Sequence, residues 1–512
     1  MSRLSRLVAL LALVAMVAAA CSSDNGGGGD NGGGGSTASN AEITIAIGSE
    51  PTTLDPQLRD DGGERAVNDN IYETLMARTA DGQLVPGLAA EAPTQPDATT
   101  WEFKLRDGIT FTDGEPFNAD AVVHSVERII DPKFESEQAG FFSTITGAKK
   151  VDDLTVDITT NGPDPILPAR MYWMKMVPPE ASGNPDFADN PVGTGPYKLV
   201  EWVKGDHVTI ERNPDYWGDE PSIAKVTFTF PSESGARLSG LLAGDFDLVT
   251  NLLPEDVQTV EGAGLQVAHV QGLEHPVFIL NAREGITADV RVRQALNYAV
   301  DKDAIVNNLF GGFGVPDQCQ LLSPSWFGFD PSLQAYPYDP DKAKQLIQQA
   351  GAEGQTIELI GEAGRWLKDR ELIEAVANYW QAIGLKPDVQ IYTFDEYLNR
   401  LFDQKARGDA IFVSSSNELL DADRNYSTFY QPGGIGSSND NPQIKKLIDE
   451  ARTETDTAKR LADYQQVSQI ACDQAYFVWL LNNEDIYGMS ARLQWDPRVD
   501  AKLLVKEMSV TE

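Results

Sequence analysis

Trp101-Glu-Phe-Lys-Leu-Arg-Asp-Gly-Ile-Thr-Phe-Thr-Asp-Gly-Glu-Pro-Phe-Asn-Ala-Asp-Ala-Val-Val-His-Ser-Val-Glu-Arg128 is the stretch on which the reading of this chain turns. Its first part alternates: Trp101, Phe103 and Leu105 point one way and Glu102 and Lys104 the other, the period of a half-buried strand. Asp107-Gly108 and Asp113-Gly114 are turn dipeptides. Asn118 then offers a side-chain oxygen to the first free amides of a helix, whose buried face is Ala121, Val122, Val126 and Ile129. One strand, two turns and one amphipathic helix follow each other without an intervening linker.

Outward from this unit the same alternation recurs. Ile43, Ile45 and Ile47 read as a strand, as do Leu154-Thr-Val-Asp-Ile, Val208-Thr-Ile, Lys225-Val-Thr-Phe-Thr-Phe, Ile357-Glu-Leu-Ile and Ala410-Ile-Phe-Val. Asp339-Pro340-Asp341 gives an N-cap, a first-turn proline and a carboxylate matched to the helix dipole, and Ala350-Gly351 gives the stop. Lys368 to Ile383 is expected to be a helix closed by Gly384, with a strand at Val389 to Tyr392. Further helices are expected to open at Asn441-Pro442 and to run from Thr457 to Cys472. Helices alternate with strands most clearly in the C-terminal half, which points to α/β lobes.

The N-terminus has a different character. Arg3 and Arg6 precede an uncharged apolar run, Leu7 to Ala20, shorter than the roughly 20 residues that span a bilayer as a helix. It ends in Ala18-Ala19-Ala20, directly before Cys21, which suits an export signal cleaved at 1–20 and acylation of the Cys21 thiol. Residues 21–40 repeat Asp-Asn-Gly-Gly-Gly-Gly and read as a flexible tether. The expected location is the outer face of the cytoplasmic membrane, with the lipid as the only membrane contact.

Composition narrows the rest. The chain has 512 residues, with 41 Lys+Arg against 77 Asp+Glu. The signal holds two of the basic residues and no acidic one, so the mature balance is 39 − 77 = −38. Nucleic acids and anionic lipid surfaces need basic patches, so neither is an expected partner. After Cys21 only Cys319 and Cys472 remain; in an exported chain they are expected to pair, the alternative being two buried thiols.

Catalytic patterns are missing. There is no G-x-S-x-G, H-E-x-x-H, phosphate-binding glycine loop or C-x-x-C. The histidines at 124, 207, 269 and 275 are scattered, and no metal or cofactor site is expected. Ser222-Ile-Ala-Lys225 has the S-x-x-K spacing without its partner motifs. Asp421-Ala-Asp423-Arg-Asn425 begins like a calcium loop, but Tyr426 and Pro432 stand where such a loop needs Gly and Glu.

The stretch from Trp101 to Arg128 closely resembles the signature of the extracellular solute-binding proteins of the dipeptide/oligopeptide/nickel type, which serve ABC importers. Further blocks agree in order: Glu50-Pro-Thr-Thr-Leu-Asp-Pro56, Asn70-Ile-Tyr-Glu-Thr-Leu75, Pro86-Gly-Leu-Ala89, Pro191-Val-Gly-Thr-Gly-Pro-Tyr197, Arg212-Asn-Pro-Asp-Tyr-Trp217, Leu241-Leu-Ala-Gly-Asp-Phe-Asp247, Val290 to Asp301, Tyr338 to Lys344 and Ala451 to Asp456. The resemblance implies a periplasmic-binding-protein-like α/β fold of two lobes joined by hinge strands, with an extra domain inserted in the first lobe. Its main domain would be discontinuous, 41–75, 192–282 and 486–512; the insert would be 76–191 and the second lobe 283–485. The implied activity is capture of a small solute, a short peptide foremost, and its delivery to a permease by a monomeric, non-enzymatic receptor. A metal chelate, an oligosaccharide or another metabolite is the alternative within the fold, and a lipid-anchored enzyme the alternative outside it.

In the family's peptide binders an Arg near the start of the helix after the equivalent of Ile357–Ile360 takes the ligand carboxylate, and Arg365 stands in that place beside Trp366. A carboxylate in the loop after Ala410-Ile-Phe-Val takes the ligand amine, which leaves Glu418 and Asp421 as candidates with Ser416 and Asn417 beside them. Across the cleft the resemblance implies Gln57, Arg59, Phe141 and Trp173.

Overall fold

The computed structural model describes residues 40–511, apart from residue 404 and the side chain of Asp395. The expected signal segment, Cys21 and most of the glycine tract lie outside the described residues. The stretch that opens the sequence folds as read. Thr100–Lys104 is a strand, Gly108 and Gly114 take positive φ at the two turns, and Ala119–Ile130 is a helix whose Asn118 Oδ1 accepts the amides of Asp120 and Ala121. The helix buries Ala121, Val122, Val126 and Ile129 against a four-stranded antiparallel sheet of Thr94–Asp97, Thr100–Lys104, Thr155–Thr160 and Ile145–Asp152. Each large aliphatic side chain so buried contributes about 1.5–3 kcal/mol.

A second layer is an eight-stranded mixed sheet. Its parallel centre pairs Ala41–Ala46 with Ile223–Thr229 and Leu248–Val249, and Tyr197–Val203 and His207–Arg212 extend one edge. The loop Val192-Gly-Thr-Gly-Pro lies directly on the end of helix Gly62–Ile71. A Cβ on Gly193 would stand 2.0 Å from the Ile71 carbonyl oxygen, and one on Gly195 would stand 2.6 Å from it. Only glycine permits that approach.

The third layer is a five-stranded sheet in the order Lys386–Tyr392, Thr356–Glu362, Ala410–Ser415, His275–Leu280 and Phe477–Trp479. Helices cover it: Asp369–Ala382, Pro340–Ala350, Pro442–Ala451 and Thr457–Gln474 all begin or end within a few residues of the expected positions. Cys319 and Cys472, from this same body, approach with their Cα atoms 5.3 Å apart, inside the span a disulfide bridges.

Two strands cross from the large sheet to the five-stranded one. Gln266–Gln271 runs on into His275–Leu280, and Phe477–Trp479 into Leu481–Met489. They are fastened to each other where they cross. The Gly272 amide donates to the Asn483 carbonyl at 2.9 Å, and the Asn482 amide group donates to the Gly272 and Glu274 carbonyls at 2.9 and 2.8 Å. This is the joint between two lobes. Away from it the lobes meet through the Lys368–Glu255 ion pair at 2.7 Å, the Arg170–Asp423 pair at 3.6 Å, and Arg78 donating to the Leu419 carbonyl.

Candidate functional site

Between the lobes, against the joint, lie two confluent cavities of about 830 and 510 Å³, sizes typical of small-ligand sites. Both are walled by Arg237, Asn251, Gly364, Arg365 and Asp485, so they form one chamber. A hollow of about 920 Å³ lies elsewhere, between the four-stranded sheet region and the second lobe. Its charges are already engaged: Arg460 by Asp421, Glu454 by Lys459, and Arg78 by the Gly82 and Leu419 carbonyls. The chamber at the joint is the candidate site.

Arg365 enters it on a loop that Asp369 shapes. Asp369 Oδ2 accepts the amides of Gly364, Arg365 and Trp366 at 2.8, 3.1 and 3.0 Å, and Gly364 takes φ +103°. The guanidinium stacks over the exposed ring of Phe394, 4.6 Å from its centroid, and has no carboxylate within ion-pair distance among the described residues. Two other arginines on the chamber wall are committed to the protein. Arg237 donates to the Pro231, Ser232 and Thr250 carbonyls, and Arg65 donates to the Asp60 carbonyl and pairs with its carboxylate at 3.5 Å.

The carboxylates on the wall are less satisfied. Asp485, on Leu481–Met489, has no hydrogen-bond or ion-pair partner among the described residues, and burial pushes its carboxyl up to about 6. Glu274, at the entry to His275–Leu280, accepts one bond from Ser414 Oγ; burial, reinforced by the nearby Glu418 and Asp485 charges, pushes it up to about 7. Glu362, at the end of Thr356–Glu362, is 3% exposed, its Oε1 lacks a partner, and burial followed by the Asp369 charge raises it.

The residues expected at the site divide. Arg365 lies on the chamber wall. Trp366 borders it too, but its ring packs edge-on against Tyr397 and Phe412, as core rather than a stacking platform. Phe141, Trp173, Ser416 and Glu418 gather next door, beyond Arg65. The Arg65 guanidinium lies 4.5 Å from the Trp173 centroid, Phe141 is 6.2 Å from Trp173, and Arg424 bridges Phe141 at 5.1 Å and Glu418 at 3.8 Å. Burial opposes ionisation of Glu418, but Arg424 and Arg65 more than offset it and hold its carboxyl below the usual range; Ser416 Oγ donates to it.

The remaining expectations need correction. Gln57 is fully buried: its amide group donates to the Ser125 and Lys175 carbonyls and its oxygen accepts from Arg128. Arg59 spends its charge on the exposed Asp61 and Glu137 and the buried Glu64. Asp421 is held by Arg460 through both oxygens, at 2.6 and 2.8 Å, and caps helix Ala422–Asn425. Asn417 is buried and donates to the Asp421 carbonyl, which braces the loop. Polar residues in a turn or loop look available in sequence because their distant partners are not visible there. Arg65, Glu274, Glu362 and Asp485 were not legible as site residues; only the pairing of remote strands brings them together.

The histidines are absorbed locally: His124 by Ser182, His207 by Asp206, His269 by Glu484 and His275 by Asp317. Among the described residues no group of His, Cys, Asp or Glu is arranged to hold a metal ion, and no helix is long and apolar enough to cross a membrane.

Residues 83–437 match the model of the bacterial extracellular solute-binding proteins, family 5. A dipeptide-binding protein of Escherichia coli (strain K12) is 28% identical over 463 residues, covering 83% of this chain and 86% of its own. The ABC transporter substrate-binding protein CtaP of Listeria monocytogenes matches in structure with a TM-score of 0.84 at 24% identity, over 93% of this chain and all of that one. NikA of Brucella suis, solved in complex with Fe(III)-EDTA, matches with a TM-score of 0.84 at 22% identity, over 92% of this chain. At such identities the structural likeness is one of fold. With more than half of its length inside the family model and a chamber at the joint of two lobes, the chain belongs to the bacterial extracellular solute-binding proteins of family 5, receptors that capture small solutes for ABC importers.

Proposed function

We propose that the solute is a short peptide. The observation that carries this reading is the presence, on the lining of one chamber, of a guanidinium (Arg365) and two carboxylates (Asp485 and Glu274), none of them in an ion pair among the described residues. A free peptide carries a carboxylate and an ammonium group, and each would find a counter-charge in the chamber. A chelate bearing several carboxylates would be welcomed by Arg365 and repelled by Asp485 and Glu274. That asymmetry favours the peptide.

Binding would draw the lobes together about the joint. The chain acts as a receptor that takes up and releases its solute. Lipidation at Cys21 would keep a monomeric receptor beside its permease, with 41–75, 192–282 and 486–512 as the main domain of the first lobe, 76–191 as its insert and 283–485 as the second lobe. A Cys21→Ala variant released into the medium, with loss of the lipid mass from the mature chain, tests the anchor.

The peptide reading is tested by thermal shift with free tripeptides and with the same peptides acetylated and amidated. Ligands that bind only the folded chain raise its apparent stability. Free peptides are expected to raise Tm and doubly blocked ones to leave it unchanged. Equal shifts from both, or shifts from chelates alone, would remove the reading.

A further inference from the structure

The charges on the chamber wall do not balance, and what that implies rests on the peptide reading. Of the cations there, Arg65 and Arg237 are committed to the protein, as described above, and Lys368 is paired with Glu255. Arg365 is left as the open positive charge. Of the carboxylates, Asp369 is consumed by backbone amides and Glu484 by His269, and Glu371 is exposed at the rim. Asp485, Glu274 and Glu362 form no ion pair among the described residues; Arg365 is the one cation whose charge reaches Glu274 and Glu362, and it cannot balance three acids. A simple zwitterion would satisfy Arg365 and one acid, leaving two.

The positions of those acids matter as much as their number. Asp485 sits on one of the two connections between the lobes and Glu274 at the entry to the strand of the other, and the Asp485 charge reaches Glu274. Gly272 keeps the space beside Asp485 open, since a Cβ there would stand 3.0 Å from Asp485 Oδ1. Glu362 comes from a different element, the end of Thr356–Glu362, and lines the larger cavity. It is 3% exposed and its Oε1 has no donor; a buried carboxylate oxygen without a donor is costly and its natural complement is a donor that arrives with the ligand.

We infer that the chamber selects peptides carrying a basic side chain: Arg365 takes the carboxylate, and Asp485, Glu274 and Glu362 together receive the α-ammonium and a second, side-chain cation of the lysine or arginine type. The excess of acid over base across the whole chain, a net charge of −36, would steer such ligands toward the cleft.

The experiment is calorimetric titration of the purified chain with the tripeptides Ala-Lys-Ala, Ala-Gln-Ala and Ala-Glu-Ala. One charge-assisted hydrogen bond corresponds to about tenfold or more in Kd, so Ala-Lys-Ala is expected to bind about tenfold to a hundredfold more tightly than Ala-Gln-Ala, with Ala-Glu-Ala weakest. The Glu274→Gln, Asp485→Asn and Glu362→Gln variants, checked for folding by circular dichroism, are expected to weaken Ala-Lys-Ala more than Ala-Gln-Ala and so to compress that ratio. Equal affinity for the three peptides, or preference for Ala-Glu-Ala, overturns the inference and leaves the peptide reading standing. A ratio unchanged in all three variants overturns the assignment to these acids. Binding of none of the peptides overturns the peptide reading and the inference built on it.

Discussion

Asp421 and Asp485 are both buried or half-buried aspartates of the second lobe and its joint, yet they have opposite fates. Asp421 is locked to Arg460 through both oxygens and to the start of a helix, whereas Asp485 has no partner among the described residues. The first is a fastening of the scaffold and the second is an unmet demand. In a receptor of this kind the groups that wait for a ligand are those the fold leaves uncompensated, and a charge's place in a motif does not reveal which it is.

The comparison breaks most visibly at Asp421. Replacing it by Ala leaves Arg460 buried without its counter-charge, and loss of about 3–5 kcal/mol is expected in urea unfolding. Asp485→Asn, by contrast, is expected to keep or raise stability. Equal losses at the two positions would erase the distinction.

The pH dependence comes next. Glu274 has its carboxyl raised from 4.5 to about 7, so between those values the folded chain holds a proton that the unfolded chain has released. Stability of the ligand-free chain should therefore be greatest near pH 5 and decline as pH rises through 7, by up to about 3 kcal/mol. Asp485, raised to about 6, adds to the same slope. Glu274→Gln should flatten the curve of unfolding free energy against pH. A wild-type curve already flat from pH 5 to 8 would contradict the burial of these acids.

Arg365→Ala should weaken peptide binding about tenfold to a hundredfold, since one charge-assisted contact contributes about 1.5–3 kcal/mol, with little change in unfolding. The smallest effect belongs to the surface pair between the lobes. Glu255→Gln removes a partner of Lys368 that is half exposed, so stability should shift by less than about 1 kcal/mol. Small-angle scattering should then show a slightly larger radius of gyration without ligand.

Much of this architecture could be read from local pattern. Asn118, Asp339 and Asn441 cap helices where the sequence places them, and alternation located the strands from Ile43, Ile357 and Ala410. Arg365 could be found through family resemblance. The hinge acids could not, because Glu274 and Asp485 are 211 positions apart in the chain (485 − 274) and nothing in Gly272-Leu-Glu-His or Asn482-Asn-Glu-Asp separates them from ordinary loop polarity. Gln57 erred the other way: a polar residue in a Pro-containing turn looks like a contact, but its three side-chain hydrogen bonds make it a rivet between the opening turn and the inserted region. Helix Gly62–Ile71, which carries Arg65, opens on Asp61-Gly-Gly, and adjacent glycines hide a helix start from propensity.

The side chain of Asn482 gives the joint a mechanical character. By holding both the Gly272 and Glu274 carbonyls from the opposite strand, it makes the two connections bend as one ribbon. Two independent linkers would permit the lobes to twist and shear as well as close. A single stitched ribbon leaves them essentially one swing, like a book on its spine, so each opening returns the same two pages to the same alignment.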